Sequence, residues 1–311
     1  MISLVKYTSQ HFEVWNQFNK GSKNGLFLFD RNYMDYHADR FIDHSLLFYK
    51  GEELLAIFPA NKKDGVLTSH GGLTYGGLVL HPRATTDFVM SVFDAMMDHM
   101  RKEGISSMVY KVTPYIFHKQ PAQEDLYALF RNNAQLVRRD ISSVIDLRQK
   151  QAYTKGTKYN ISKAKKSNLQ IVESIDFDLF MRIEEDLLMR KYQTKPTHSS
   201  AEIGLLASRF PNNIRLVLVY NSTTCLGGTI LFITESLVHT QYIGITDEGK
   251  EVGALDILTD HLIQKFSSTH MYFSFGISTE KDGTVLNEGL IKNKESFGAR
   301  AITNDFYRIN L

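Results

Sequence analysis

The chain has 311 residues, 43% of them apolar and 23% charged, with a net charge of +2. That length leaves room for two ordinary domains or one large one with a sizeable core, and the near-balanced charge demands neither a nucleic acid nor an anionic membrane as partner. The single cysteine, Cys225, excludes an internal disulfide and suits a reducing compartment.

No run reaches the roughly 20 apolar residues of a membrane span. The opening MISLVKYTSQHFEVWNQF turns polar too early for a signal peptide, so a cytoplasmic location is expected. A helical pattern lies near residues 10–20. LLFYKGEELLAIFPA, 46–60, then reads as two strands around a tight turn at Lys50–Glu53. LTYGGLVL, 73–80, is expected as a strand with a tyrosine near glycines. FVMSVFDAMMDHMRKEG, 88–104, carries apolar residues at three- and four-residue steps and predicts a helix, and SSMVYKV, 106–112, predicts a strand.

Between Leu147 and Val172 there is no acidic residue, while lysines and one arginine recur. The first part of this stretch reads as a linker. The second, about 155–167, is expected to form a short basic helix. A further helix is expected near 176–192, a second hairpin at 216–232 with its turn at Asn221–Thr224, a strand TQYIGI at 240–245, a helix at 253–268 and a strand MYFSFGI at 271–277.

The two halves thus repeat one order: helix, hairpin, strand, helix, strand. Hairpins followed by a strand–helix–strand crossover imply a mixed sheet with helices on both faces. The expected fold class is α/β (α+β), in two tandem domains at 1–147 and 148–311.

Four places offer chemistry. TDEGKEVGALDIL, 246–258, runs from a polar turn into a helix start. Gly249 and Gly253 would let a phosphate approach unpaired backbone N–H groups, with Lys250 adding charge and Ala254 opening the helix. Glu248 and Glu251 oppose an anion there, and on the loop alone a helix capped by Thr246 or Asp247, with acidic first-turn residues, is the favoured reading.

The basic stretch, with Lys158, Lys163 and Lys166, is either a grip on a phosphate-bearing substrate or a solvated helix face. Tyr242 and, just upstream on the same strand, His239 are expected to share a face and to move protons in an amine acylation, or else to be core residues with bonded polar tips. Glu184, Glu185 and Asp186 cluster on a helix, where one of them could serve as base to an ammonium group or all three could be solvated surface. The histidines at 70, 81, 198 and 239 lack metal-ligand spacing, so no metal site is expected. Hydrolase and nucleotide-triphosphatase motifs are absent.

The carboxy-terminal stretch YFSFGIS…LNEGLIKNKESFGAR resembles the ending of FemAB-like proteins, a branch of the GNAT acyltransferase superfamily built from two tandem GNAT domains. Phe273, Phe275 and Gly276 match that family's closing strand, and Gly289–Leu290, Lys294, Phe297 and Gly298 match the segment after it. KYNISKAKKSNLQI, 158–171, resembles the basic helix that opens the second domain. Ser274 stands where the family often has Asp, and Asn293 where it often has Phe.

The resemblance implies two GNAT-like domains and transfer of an acyl or aminoacyl group to a primary amine, on an envelope or nucleotide-sugar precursor. Acyl-CoA or a charged tRNA would be the donor. It also implies that a backbone amide near Tyr242–Gly244 receives the oxyanion, and that Lys294 joins Lys158, Lys163 and Lys166 in holding acceptor phosphates. In the superfamily the CoA pyrophosphate loop is of the type Arg/Gln-x-x-Gly-x-Gly/Ala; the corresponding positions here are Glu248, Glu251 and Gly253, of which only the last agrees. An acyl-CoA-dependent N-acetyltransferase of a small amine and a non-catalytic binding module are the alternatives.

Overall fold

A computed structural model of the chain describes residues 2–311. The chain forms two compact units. The first comprises residues 1–140, 281–285 and 303–311, the second 141–280 and 286–302. The units are therefore not two uninterrupted halves. The expected division at 147/148 differs from this partition, because the last strand of the chain belongs with the first unit.

In the first unit, β1 (Ile2–Lys6), α1 (Phe12–Gly21) and α2 (Arg31–Met34) precede the hairpin β2 (Leu46–Lys50) and β3 (Glu53–Phe58). The short strands β4 (Asn61–Lys63), β5 (Val66–Thr68) and β6 (Val79–Leu80) come next, then α3 (Thr86–Lys102), β7 (Ser107–Lys111), α4 (Glu124–Arg131) and the first half of β8 (Gln135–Asp146). One sheet has the order β1-β2-β3-β6. On it lies α3, whose apolar stripe of Val89, Val92, Phe93, Met96 and Met100 packs with Leu46, Phe48, Ala56 and Phe58.

The expected strand at 73–80 is reduced to Val79–Leu80, and the glycine run before it is a loop. The Lys111 ammonium spends its three donors on the carbonyls of His70, Gly71 and Leu73, at 3.1, 3.3 and 2.7 Å. Gly77 has φ +87°, and a Cβ there would stand 2.7 Å from the Tyr110 hydroxyl, so the run serves close packing.

In the second unit, α5 (Lys155–Ala164), β9 (Gln170–Ser174), α6 (Phe177–Tyr192) and α7 (Ser200–Arg209) lead to β10 (Ile214–Asn221) and β11 (Thr224–Ile233). Next come β12 (Leu237–Ile245), α8 (Asp247–Glu251), α9 (Ala254–Phe266) and β13 (Tyr272–Ile277). The two-residue strands β14 (Thr279–Glu280) and β15 (Val285–Leu286) lead to α10 (Glu288–Ser296) and β16 (Arg300–Asn310), which pairs with β7 through Phe306–Asn310 to complete the first unit.

Strands of the second unit run in the order β8-β13-β12-β11-β10-β9. The ladders are antiparallel except β12–β13, which are joined through α9. Its core sets Leu258, Leu262 and Ile263 of α9 against Val217, Leu231, Val238 and Ile245 of the sheet. The predicted order of helix, hairpin, strand, helix and strand recurs in both units; the first divides its strands between the antiparallel β1-β2-β3-β6 sheet and the run β4-β5-β7-β16, in which β5–β7 is parallel, and the second has one mixed, mostly antiparallel run. No helix among the described residues is long and apolar enough to cross a membrane.

Candidate active site

The strand β12 alternates apolar and small residues, bonds β11 along its length, and pairs with β13 only at Leu237–His239 against Tyr272–Ser274. Beyond those three residues the two parallel strands part. From Thr240 onward, the edge of β12 that faced β13 has lost its strand partner, which leaves main-chain groups turned toward a gap. A cleft of about 590 Å³ opens there, with mostly apolar walls.

One extra residue decides which side chains reach the gap. Ile230 faces Tyr242 while the next residue, Leu231, faces Thr240, so Gln241 is a bulge in β12. Tyr242 and His239 oppose Ile230 and Phe232, which are two apart on an unbulged strand and share a face. Thus Tyr242 and His239 share a face although they are three residues apart, and Gly244, opposite Gly228, joins them. Thr240, Ile243 and Ile245 point the other way and line the cleft. The cleft is walled by α6 from the Gly244 face and by Leu255 and Thr259 of α9 from the opposite one.

Glu184 is the cleft's most unusual wall residue. It comes from α6, where Glu184, Leu187, Leu188 and Lys191 form an i, i+3, i+4, i+7 stripe facing the gap. It is 8% exposed, and no hydrogen bond or ion pair holds its carboxyl among the described residues. Burial alone pushes its pKa up to about 7, because a carboxylate without partners loses its hydration there. Its two sequence neighbours are ordinary surface acids: Glu185 pairs with Lys195 at 2.8 Å, and Asp186 is exposed. The cluster of three acids therefore resolves into one buried carboxyl and two solvated ones.

Lys294, on α10, lines the same cleft and is 6% exposed. Its ammonium donates to the carbonyls of Gly276 and Ile277, at 3.0 and 2.6 Å, leaving one of three donors over. Desolvation lowers its pKa to about 7. It is a buried amine tied to the parting strand β13, within the cleft in which it was expected to hold acceptor phosphates.

Tyr242 and His239 end in two separate networks, and neither side chain lines the cleft. The Tyr242 hydroxyl lies 2.7 Å from Nδ1 of His198 and accepts from the His198 amide at 3.3 Å; burial raises its pKa. His239 Nδ1 lies 3.0 Å from the Ser274 hydroxyl. Burial, and then the charge of Lys294, lower the His239 pKa to about 4, so its ring is neutral at physiological pH.

The 246–258 stretch is a capped short helix followed by a second helix. The Thr246 hydroxyl accepts from the Gly249 amide, and the Lys250, Val252 and Gly253 amides bond carbonyls at Thr246, Glu248 and Lys250. Gly249 is buried against Leu226, and Ala254 is fully buried. The Lys250 ammonium pairs with Asp247 at 2.7 Å at the mouth of the cleft.

The basic helix α5 covers the start of α9. A Cβ on Gly253 would stand 3.1 Å from the Asn160 carbonyl and 3.3 Å from the Ala164 Cβ, and the Lys163 ammonium donates to the Glu251 carbonyl at 2.8 Å. Lys158 and Lys166 are exposed. The structure thus gathers Gly244 and Lys294 around the cleft with Lys250 at its rim, and sets Gly249, Gly253, Ala254, Lys158, Lys163 and Lys166 apart from it. For a CoA diphosphate on this loop the Gly249, Lys250, Val252 and Gly253 amides are already bonded within the chain, and α5 lies against Gly253.

His198 and the single importance of Glu184 were not legible from motif spacing. The periodic stripe on α6 was the available signal for Glu184, since an acid in register with Leu187, Leu188 and Lys191 points where they point.

No family model and no curated protein matches the chain. Solved structures do match over nearly its full length. FemX has a TM-score of 0.68 at 9% identity, over 99% of this chain and 97% of that one. L-PGS from Bacillus licheniformis has 0.62 at 10%, over 98% and 92%. A tandem GNAT protein from the clavulanic acid biosynthesis pathway has 0.54 at 10%, over 100% and 98%. The chain has a FemAB-like tandem GNAT fold.

Proposed function

We propose that the second unit of this FemAB-like tandem GNAT fold transfers an acyl or aminoacyl group to a primary amine. The observation that carries this reading is the buried, partnerless carboxyl of Glu184 beside the gap between β12 and β13. An acid kept without a partner in apolar surroundings is stabilised by an incoming ammonium group, and at a pKa of about 7 it is a stronger base than an ordinary glutamate.

In the proposed step, Glu184 takes a proton from the acceptor's ammonium. The amine nitrogen then attacks the donor carbonyl carbon, forming the C–N bond. The carbonyl oxygen becomes an oxyanion, held by the free edge of β12 near Tyr242–Gly244 and by the remaining donor of Lys294. Collapse breaks the C–O or C–S bond to the leaving group. That group takes the proton that Glu184 removed from the ammonium, and the attacking nitrogen, positively charged after attack, gives its second proton to solvent to leave the neutral amide. Tyr242, bonded to His198 and outside the cleft lining, acts as a positioning residue for β12. His239 supports this arrangement through Ser274 as a positioning residue.

An ester donor such as a charged tRNA is favoured over acyl-CoA by the closed state of the α8–α9 loop. The basic face of Lys158, Lys163 and Lys166 would meet its phosphates. The FemAB-like resemblance supports an acceptor on a cell-envelope or nucleotide-sugar precursor, in the cytoplasm. The domain reading of 1–147 and 148–311 is retained only as a sequence-level proposal for the two repeats.

The test is mass spectrometry of amide products after incubating the protein with a panel of primary amines and activated esters. Glu184→Gln should cut the rate at least a hundredfold. Product formation equal in both proteins would overturn the role of Glu184.

A further inference from the structure

The cleft's lining combines a partnerless acid, a bonded buried amine, apolar walls and exposed cations, and this combination specifies the ligand. Glu184 is 8% exposed and without a partner among the described residues, whereas the other buried charge, Lys294, already spends two donors on the carbonyls of Gly276 and Ile277. Leu187, Leu188, Ile243, Leu255, Phe275 and Leu290 make much of the cleft's wall apolar. Its mouth carries Arg190, Lys191 and Lys250 with a single acid, Asp247. Asp247 already serves two of these cations, lying 3.1 Å from Arg190 and 2.7 Å from Lys250. The rim therefore retains positive charge.

Helix α6 sets the scale. Arg190 lies six positions along from Glu184, which at the rise of an α-helix is about 9 Å. Each region asks for a different chemistry: an ammonium at the acid, apolar matter along the walls, and an anion at the rim.

We propose that the cleft binds an amphiphile with two ends, a primary amine joined by an apolar body to an anionic group about 10 Å away. The proposal rests on reading the cleft as an amine site, and it names the class of acceptor. A small polar amine fits it poorly, because it would leave the apolar walls wet. A simple fatty acid fits it poorly, because it would leave Glu184 buried against hydrocarbon.

Binding is measured by calorimetry with three probes of equal chain length, ω-aminooctanoate, octylamine and octanoate, so no turnover is needed. The wild type should bind ω-aminooctanoate at least tenfold more tightly than either one-ended probe. Glu184→Gln should abolish the advantage over octanoate. Arg190→Gln combined with Lys250→Gln, both at exposed positions, should abolish the advantage over octylamine.

If octylamine binds as tightly as ω-aminooctanoate and Glu184→Gln weakens it, the amine site stands and the two-ended ligand is overturned. If octanoate binds as well as either, or no probe binds, the proposal is overturned. The amide-forming assay on short amines then judges the transferase reading separately.

Discussion

Gly244 makes room for Glu184. A Cβ built on Gly244 would stand 2.5 Å from the Glu184 Oε2. The atom met is the end of a flexible side chain, so Gly244→Ala should cost less than about 1 kcal/mol in stability, with the carboxyl swinging aside. Thermal melting should therefore change little, while the affinity for an aliphatic amine falls at least fivefold. Unchanged amine affinity would show that the carboxyl's position does not matter.

Glu184 should leave a signature in the pH dependence of stability. Its folded pKa is about 7 against an ordinary 4.5, so the folded state holds the proton more tightly. Its contribution is complete below pH 4.5 and is lost as pH rises through 7. The loss approaches about 3 kcal/mol, from 1.36 kcal/mol per unit. Glu184→Gln should thus be more stable than the wild type at pH 8.5 and equal to it near pH 4. Lys294, Asp247, Lys250, Arg190, Lys191 and Tyr242 also stand around this group, so denaturant midpoints are compared as the difference between the two proteins. A difference that does not vary with pH would refute the buried carboxyl.

Tyr242→Phe removes the hydroxyl that Nδ1 and the amide of His198 share. With those groups buried, the loss should be about 1–2 kcal/mol. The His198 ring signals should move in a nitrogen-detected NMR spectrum. A shift confined to other histidines would mean that the bond is not formed in solution.

Millimolar CoA or acetyl-CoA should move the thermal midpoint by less than about 1 °C, since a ligand that does not bind the folded state cannot stabilise it. Gly253→Ala should destabilise the protein, because φ is +75° and the new Cβ would crowd the Asn160 carbonyl at 3.1 Å. A clear rise in midpoint with CoA that Gly253→Ala removes would reverse the assignment of this loop.

The hairpins at 46–58 and 214–233 and the helices at 86–102, 177–192 and 254–266 were legible because burial imposes periods of 2 and 3.6 on their residues. The glycine run before Val79 was not, since only the donors of Lys111, from another part of the chain, explain its loop. Nor was the bulge at Gln241: a single extra residue has no local pattern, yet it turns His239 to the Tyr242 face. Glu248 and Glu251 already argued for a capped helix, whereas the covering of Gly253 by Asn160 and Ala164 is a long-range contact that no spacing rule reports. Lys294 was singled out by resemblance alone, and its depth of burial, with two donors spent on β13 carbonyls, had no signal in the sequence.

Because β16 supplies the partner of β7, the first unit is finished by residues 303–311, which are made after the whole of the second unit. During synthesis the bonding edge of β7, from Ser107 to Lys111, must wait with its amides and carbonyls unpaired while more than 150 further residues are added. Strand edges of that kind recruit other strands. A nascent chain stalled before residue 303 should therefore be prone to aggregate or to hold a chaperone, even with every residue of the second unit already made.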